Sequence, residues 1–314
     1  MKMYHSLLAT ALSTALALPA LAAPHPLKSV GVAVNDLTNP FFVAMGKGAA
    51  QAARQLGGPG VKVTTVSSNY DLLTQVGQIE NLIANKTDLI LINAADPTGI
   101  APVLKKARAA GIAVVAVDVG AEGADATVMS DNSMAGKEAC RYIVKKLGGK
   151  GNVVIVNGPP VTATFARVAG CKAELGLAPG IRVLSENQNG RGNRDGGMAV
   201  MANLLTAHRK IDAVFAINDP TAIGAELAIR QAHRRDIKMI VSVDGAPDGE
   251  AALKRKNGLF AATAAQDPYL IAQKAVQLGY DILNGKRPAQ PVVLIPTPLV
   301  TADNVERHTG WAKR

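Results

Sequence analysis

From residue 28 onward the chain alternates short, β-branched apolar runs with longer segments whose apolar residues recur at helical spacing. Residues 28–34, 61–66, 88–93 and 113–117 read as strands. The segments 43–53, 72–84 and 100–110 between them read as helices, and 128–130 as a short extended crossover. The rhythm then restarts, with helices over 134–147, 164–175, 195–207, 222–232 and 249–256 and strands over 152–156, 182–184, 213–217, 239–243 and 260–264. Uninterrupted strand–helix alternation with short connections implies parallel sheets covered by helices on both faces. The expected fold is therefore α/β, with two doubly wound parallel-sheet lobes.

The remaining pattern is a helix over 268–283, a strand over 292–295 and, after Pro296, a tail with little order-forming pattern. One helix and one strand cannot bury a core alone, so the chain is expected to cross back near Gln266 and again after Ile295. That gives an N-terminal lobe of 26–129 plus 266–295 and a C-terminal lobe of 130–265 plus 296–314. Several crossings between the same two lobes make a hinge.

Composition supports two lobes: 314 residues with 48% hydrophobic and 18% charged content can bury more than one compact core. The first residues belong to neither lobe. Lys2 and His5 precede an apolar run from Leu7 to Leu18, and Ala20, Leu21 and Ala22 complete an A-x-A pattern, so 1–22 reads as a secretory signal peptide cleaved after Ala22. The run is shorter than the roughly 20 apolar residues a spanning helix needs. The expectation is an exported, periplasmic protein. Its formal charge of +10 comes from basic residues scattered along the chain, which together with export argues against a nucleic-acid partner. Cys140 and Cys171 form an even count suited to an oxidising compartment, and either a disulfide or two buried thiols fits them. With no histidine pattern near either, no metal or other cofactor is expected.

The stretch from Asn35 to Phe42 sits where the first strand hands over to the first helix, at the sheet edge where open α/β folds bind ligands. A phosphate site there would want a glycine-rich loop, and no glycine lies between Val34 and Phe42. Phe41 and Phe42 beside Asn39 offer flat apolar faces next to hydrogen-bonding groups, which suits a sugar ring. The alternative is that Pro40 opens the helix and both rings are ordinary core.

Other strand ends are polar as well: Asp118, Asn218 with Asp219, Asp244 and Gln266, while Arg167 lies near a helix start. Carboxylates accept from sugar hydroxyls, arginine donates in a fork, and amides do both. Taken singly, each is as readily a helix cap or turn former. Together they would line one cleft between the lobes.

These residues, with the runs Thr38 to Phe42, Ser130 to Asn132, Ala166 to Gly170, Asn203 to His208, Phe215 to Asp219 and Val243 to Gly249, resemble the periplasmic sugar-binding proteins of the ribose-binding type, substrate receptors of ABC importers. The resemblance covers essentially the whole chain after the signal peptide. It implies the type I periplasmic binding protein fold, hydrogen bonds to sugar from Asn39, Asp118, Arg167, Asn218, Asp244 and Gln266, and stacking by Phe41 and Phe42. Two positions depart from it. Val119 stands where ribose receptors carry a second ligand-binding arginine, and Gly192 where they carry a second-lobe aromatic. The segment from Asn189 through Gly197 is closer to fructose-type receptors of the same family, and Asn193 joins the implied ligand set. The implied partners are a small neutral monosaccharide, ribose- or fructose-like, and an inner-membrane ABC permease with its ATPase; the implied state is a monomer. A receptor feeding chemotaxis or a sensor kinase would share these features. An exported carbohydrate-active enzyme could use Asp118 and Asp244 on a glycosidic bond, but there is no G-x-S-x-G elbow and no cysteine–histidine pair, so binding without catalysis is the reading carried forward.

Overall fold

The computed structural model describes residues 25–311, and the expected export signal lies outside them. In chain order the first series is β1 (Ser29–Val34), α1 (Pro40–Gly57), β2 (Lys62–Ser67), α2 (Leu72–Ala84), β3 (Leu89–Ile92), α3 (Ala101–Ala109), β4 (Ala113–Val117) and β5 (Ala126–Ser130). The second is α4 (Asn132–Leu147), β6 (Lys150–Val156), α5 (Thr162–Gly176), β7 (Gly180–Ser185), α6 (Arg194–Ala207), β8 (Ala213–Ala216), α7 (Asp219–Gln231), β9 (Met239–Asp244), α8 (Pro247–Leu253) and β10 (Phe260–Ala265). Then come α9 (Pro268–Leu283), β11 (Val292–Ile295) and β12 (Leu299–Thr301).

The strands form two sheets, ordered β11-β5-β4-β3-β1-β2 and β12-β10-β9-β8-β6-β7. All pairings are parallel except β10 with β12. Strands such as β3 and β4 are apolar throughout because both faces are covered, and their alternation divides between two cores. Val32, Leu91, Val115 and Val117 pack with α1 and α9. Ala33, Ile90, Ile92 and Val114 point the other way, toward α2 and α3. The second sheet divides similarly, with α4 and α5 on one face and α6, α7 and α8 on the other.

Helix α1 begins at Pro40, earlier than the apolar spacing suggests, because proline suits the first turn and Asn39 caps it by accepting the Phe41 N–H at 2.9 Å. The expected crossover at 128–130 is a full strand, β5, between β4 and β11. The tail after Pro296 is a clearer correction: it contributes β12 and a 3-10 turn, Val305–Arg307, and buries Val300, Val305 and Trp311. A three-residue strand and one isolated aromatic carry no period that a sequence can display.

The chain passes between the sheets after β5, after β10 and after β11, and the three passages are bonded to one another. Asp131 N–H donates to Ile295 O at 2.9 Å, Thr297 Oγ1 to Asp131 O at 3.3 Å, and Ser130 Oγ to Gln266 Oε1 at 2.9 Å.

Helices α4 and α5 meet closely through two glycines. A Cβ on Gly136 would lie 1.9 Å from Arg167 O, and one on Gly170 would lie 2.2 Å from Ser133 O. A disulfide between the buried Cys140 and Cys171 ties the same pair of helices across 31 positions of chain. A loop of that length implies a contribution of roughly 2 to 4 kcal/mol through restriction of the unfolded chain. Replacing both cysteines by serine should lower the urea-unfolding free energy by about that amount; an unchanged midpoint and slope would show that the link adds nothing.

A candidate ligand site between the two sheets

Arg167 is the centre of the site. It projects from α5, is 6% exposed, and is held by acceptors from three elements. Its Nε donates to Asn132 Oδ1 at 2.8 Å, and its Nη1 donates to Ile217 O at 2.9 Å and Asp244 Oδ1 at 3.4 Å. Asp244 Oδ1 also accepts from Gln266 Nε2 at 2.8 Å, and Gln266 Oε1 accepts from Ser130 at the chain crossing. Arginine, aspartate, glutamine and hinge are therefore one connected network.

Asp244 ends β9 with φ at +142°, a backbone conformation that side-chain-bearing residues rarely adopt. Its surroundings hold it there. The Gln266 N–H bonds its carbonyl at 2.8 Å, and the Asp219 N–H bonds its Oδ2 at 3.3 Å. Asp219 is fully buried and accepts from the Ser242 hydroxyl, from Thr263 Oγ1 at 2.7 Å and from the Ala246 N–H at 2.8 Å. Burial, then the neighbouring Asp244 charge, pushes the Asp219 carboxyl up to about 8 despite these bonds. Burial also raises Asp244, against the pull of Arg167.

On the first sheet, Asp118 follows β4 with φ at +67°, in a tight turn closed by the Val119 N–H on Val117 O at 2.8 Å. Its Oδ2 accepts from Asn93 Nδ2 at 3.1 Å. Burial raises its carboxyl to about 6, with Arg167 pulling it down and Asp244 adding to the rise. Asp118 thus faces groups of the other sheet closely enough to feel their charges. Asn93 is buried and held in turn by Asn35 Nδ2 at 2.6 Å and, through its carbonyl, by Gln75 Nε2 at 3.0 Å.

The structure thus brings Asp118, Arg167, Asp244 and Gln266 together. The three asparagines sit at helix starts. Asn39 caps α1, Asn193 caps α6 by accepting the Gly196 N–H at 2.8 Å, and Asn218 caps α7 by accepting the Thr221 N–H at 3.1 Å. The Asn218 amide nitrogen also bonds Gly192 O at 2.9 Å, linking two helix starts. Phe41 and Phe42 are 6% and 5% exposed, edge to face with centroids 5.4 Å apart. Sequence reasoning missed Asn132, Asn93, Asp219 as a support for Asp244, and Trp311, whose ring lies 5.3 Å from that of Phe41. Asn93 stands at a strand end as Asp118 does and could have been found by the same criterion.

Chemically, an acceptor-only carboxylate on one side and a donor-only guanidinium on the other, with amides between, match a ligand whose groups both donate and accept. A neutral polyol is such a ligand.

Two α/β lobes joined by three crossings, with facing polar strand ends, define a protein of the periplasmic binding class. The chain belongs to the periplasmic binding protein domain family, whose profile matches residues 30–287. It is 35% identical over 276 residues to the ribose import binding protein of Bacillus subtilis, covering 87% of each chain. It is 30% identical over 310 residues to a D-ribose/D-allose-binding protein of Pseudomonas aeruginosa, covering 93% of this chain and 95% of that one. Among solved structures, an ABC transporter periplasmic solute binding protein from Actinobacillus succinogenes with bound D-allose superposes with a TM-score of 0.80 at 26% identity, covering 90% of this chain and 100% of that chain. These relatives are binding proteins, not enzymes.

The raised carboxyls set a pH dependence. Asp118 and Asp219 bind protons more tightly in the folded state than at the ordinary 3.8, so stability falls as pH rises: the loss begins near pH 4, is complete for Asp118 above about 6 and for Asp219 above about 8. Urea midpoints of the ligand-free protein should fall across that range, and Asp219→Asn should flatten the part between pH 6 and 8. A midpoint that rises with pH there would contradict the assignment.

Proposed function

We propose that the protein is the exported receptor of an ABC importer, which encloses one small neutral monosaccharide, ribose- or fructose-like, between two lobes and presents it to an inner-membrane permease with its ATPase. The observation that carries this reading is the buried Arg167 with its acceptors Asn132 and Asp244, opposed by the Asp118 carboxylate of the other sheet. A sugar entering between them accepts from the guanidinium and donates to Asp118, while Gln266, Asn218, Asn193 and Asn39 provide mixed amide contacts and Phe41 and Phe42 cover the ring. The lobes that close are 26–129 plus 266–295 and 130–265 plus 296–314, moving about the bonded crossings. The receptor works as a monomer in the periplasm, after loss of its first 22 residues, and performs no chemistry on its cargo.

A micromolar complex requires about 8 kcal/mol, a demanding figure for a ligand the size of a pentose or hexose. Full enclosure with every polar group paired is the way to reach it, and closure makes each contact costly to lose. A thermal-shift screen with D-ribose, D-fructose, D-allose, L-arabinose and myo-inositol tests the class of ligand, because a bound sugar in excess raises the melting temperature. Stabilisation by at least one neutral sugar is the expected outcome, and turnover of sugars or glycosides would contradict it.

With the stabilising sugar, calorimetry should show that Asp118→Ala and Arg167→Ala each weaken binding by at least about tenfold, equivalent to about 1.4 kcal/mol. Asp118→Asn should be nearly as damaging, since an amide nitrogen then stands where an acceptor is needed. Near wild-type affinity in both alanine variants, with folding intact, would remove these residues from the pocket.

A further inference from the structure

After β12 the chain turns back through Asn304, whose Oδ1 accepts the Thr301 N–H at 2.7 Å and whose amide donates to Leu299 O at 3.1 Å. Val300 and Val305 are buried in the core of the second sheet. A few residues later the chain has left that core. Trp311, 7% exposed, packs in the core of the first sheet with Phe41 and Ile295. Between them the segment passes close over the start of α8. His308 Nε2 lies 3.7 Å from Glu250 Oε1, and Gly310, at φ +62°, runs so near that a Cβ would come 2.2 Å from the same oxygen.

The seat of Trp311 touches two of the expected ligand contacts. Its ring meets Phe41 edge to face, at 5.3 Å and 75°, and its Nε1–H donates to Gln266 O at 3.0 Å. Gln266 is the residue whose side chain joins Asp244 to the crossing at Ser130. A buried indole requires an acceptor for its N–H, and here that acceptor is the main chain of the hinge.

We propose that Trp311 is a positioning residue of the ligand site, carried by a C-terminal strap that is anchored in the second lobe and seats the Phe41 ring of the first against the Gln266 crossing. This rests on reading Phe41 and Gln266 as ligand contacts. The strap fixes the face that Phe41 presents to the ligand and restrains the hinge strand, so it adds to affinity without touching the sugar. Because Gln266 lies at a crossing, where lobe opening displaces atoms least, the seat persists in the open form.

Trp311 is the chain's single tryptophan, so indole signals report it alone. Without any sugar, the near-ultraviolet tryptophan circular dichroism band of the wild type should collapse in Phe41→Leu; an intact band overturns the seat. The affinity measurements use D-ribose or D-allose, whichever raises the wild-type melting temperature. Trp311→Ala should then weaken binding by about three- to tenfold, the range of one aromatic pair. Trp311→Phe should recover part of that loss by restoring a ring without the N–H. If the Trp311→Ala affinity is unchanged with a sugar that stabilises the wild type, the strap has no part in the site. If neither sugar stabilises the wild type, the reading of these sugars as ligands fails, while the sugar-free band still decides whether the strap seats Phe41.

Discussion

A guanidinium that is 6% exposed must be given acceptors, and much of the architecture around the cleft supplies them to Arg167. Asn132 opens α4 and so stands just past one chain crossing; Ile217 O directly follows β8; Asp244 ends β9 in a backbone conformation that its neighbours maintain. The close approach of α4 to α5, allowed by Gly136 and Gly170 and tied by the Cys140–Cys171 disulfide, sets where the arginine emerges. Loosening any of these would leave a buried charge short of a partner.

The charge balance explains why a neutral, hydroxyl-rich ligand suits the cleft. Asp118 and Asp244 both feel the charge of one arginine, Asp219 lies behind Asp244, and burial raises all three carboxyls. Asp219 is satisfied within the second lobe by two hydroxyls and an N–H, so it serves Asp244 and is not offered to the cleft. Asp118 and Arg167 remain, one accepting and one donating, on opposite sides. An anion would meet Asp118 at a cost and a phosphate would find no glycine-rich loop, whereas a polyol pairs with both.

Most of the fold was legible in the chain because parallel strands covered on both faces are continuous apolar runs, and because the Asn and Asp residues after them cap the helices that follow. The helices Leu72–Ala84 and Pro268–Leu283 begin and end where their spacing says they should. The polar residues of the site were visible as a set, but not their division of labour. Nothing in the order of residues says that Asn93 holds Asp118, or that Asp219 holds Asp244, since those bonds span 25 positions each. The tail was illegible for another reason: Val305 and Trp311 are buried in different cores, so no amphipathic period connects them.

The central claim is that the groups of both lobes close on one neutral sugar and release it unaltered. Native mass spectrometry of the protein purified from the periplasm without denaturation tests this most directly, with the released ligand identified after unfolding. The account predicts one pentose or hexose per chain, absent from the Arg167→Ala protein and recoverable intact. A charged ligand, or a sugar adduct that persists undiminished in Arg167→Ala, would contradict it.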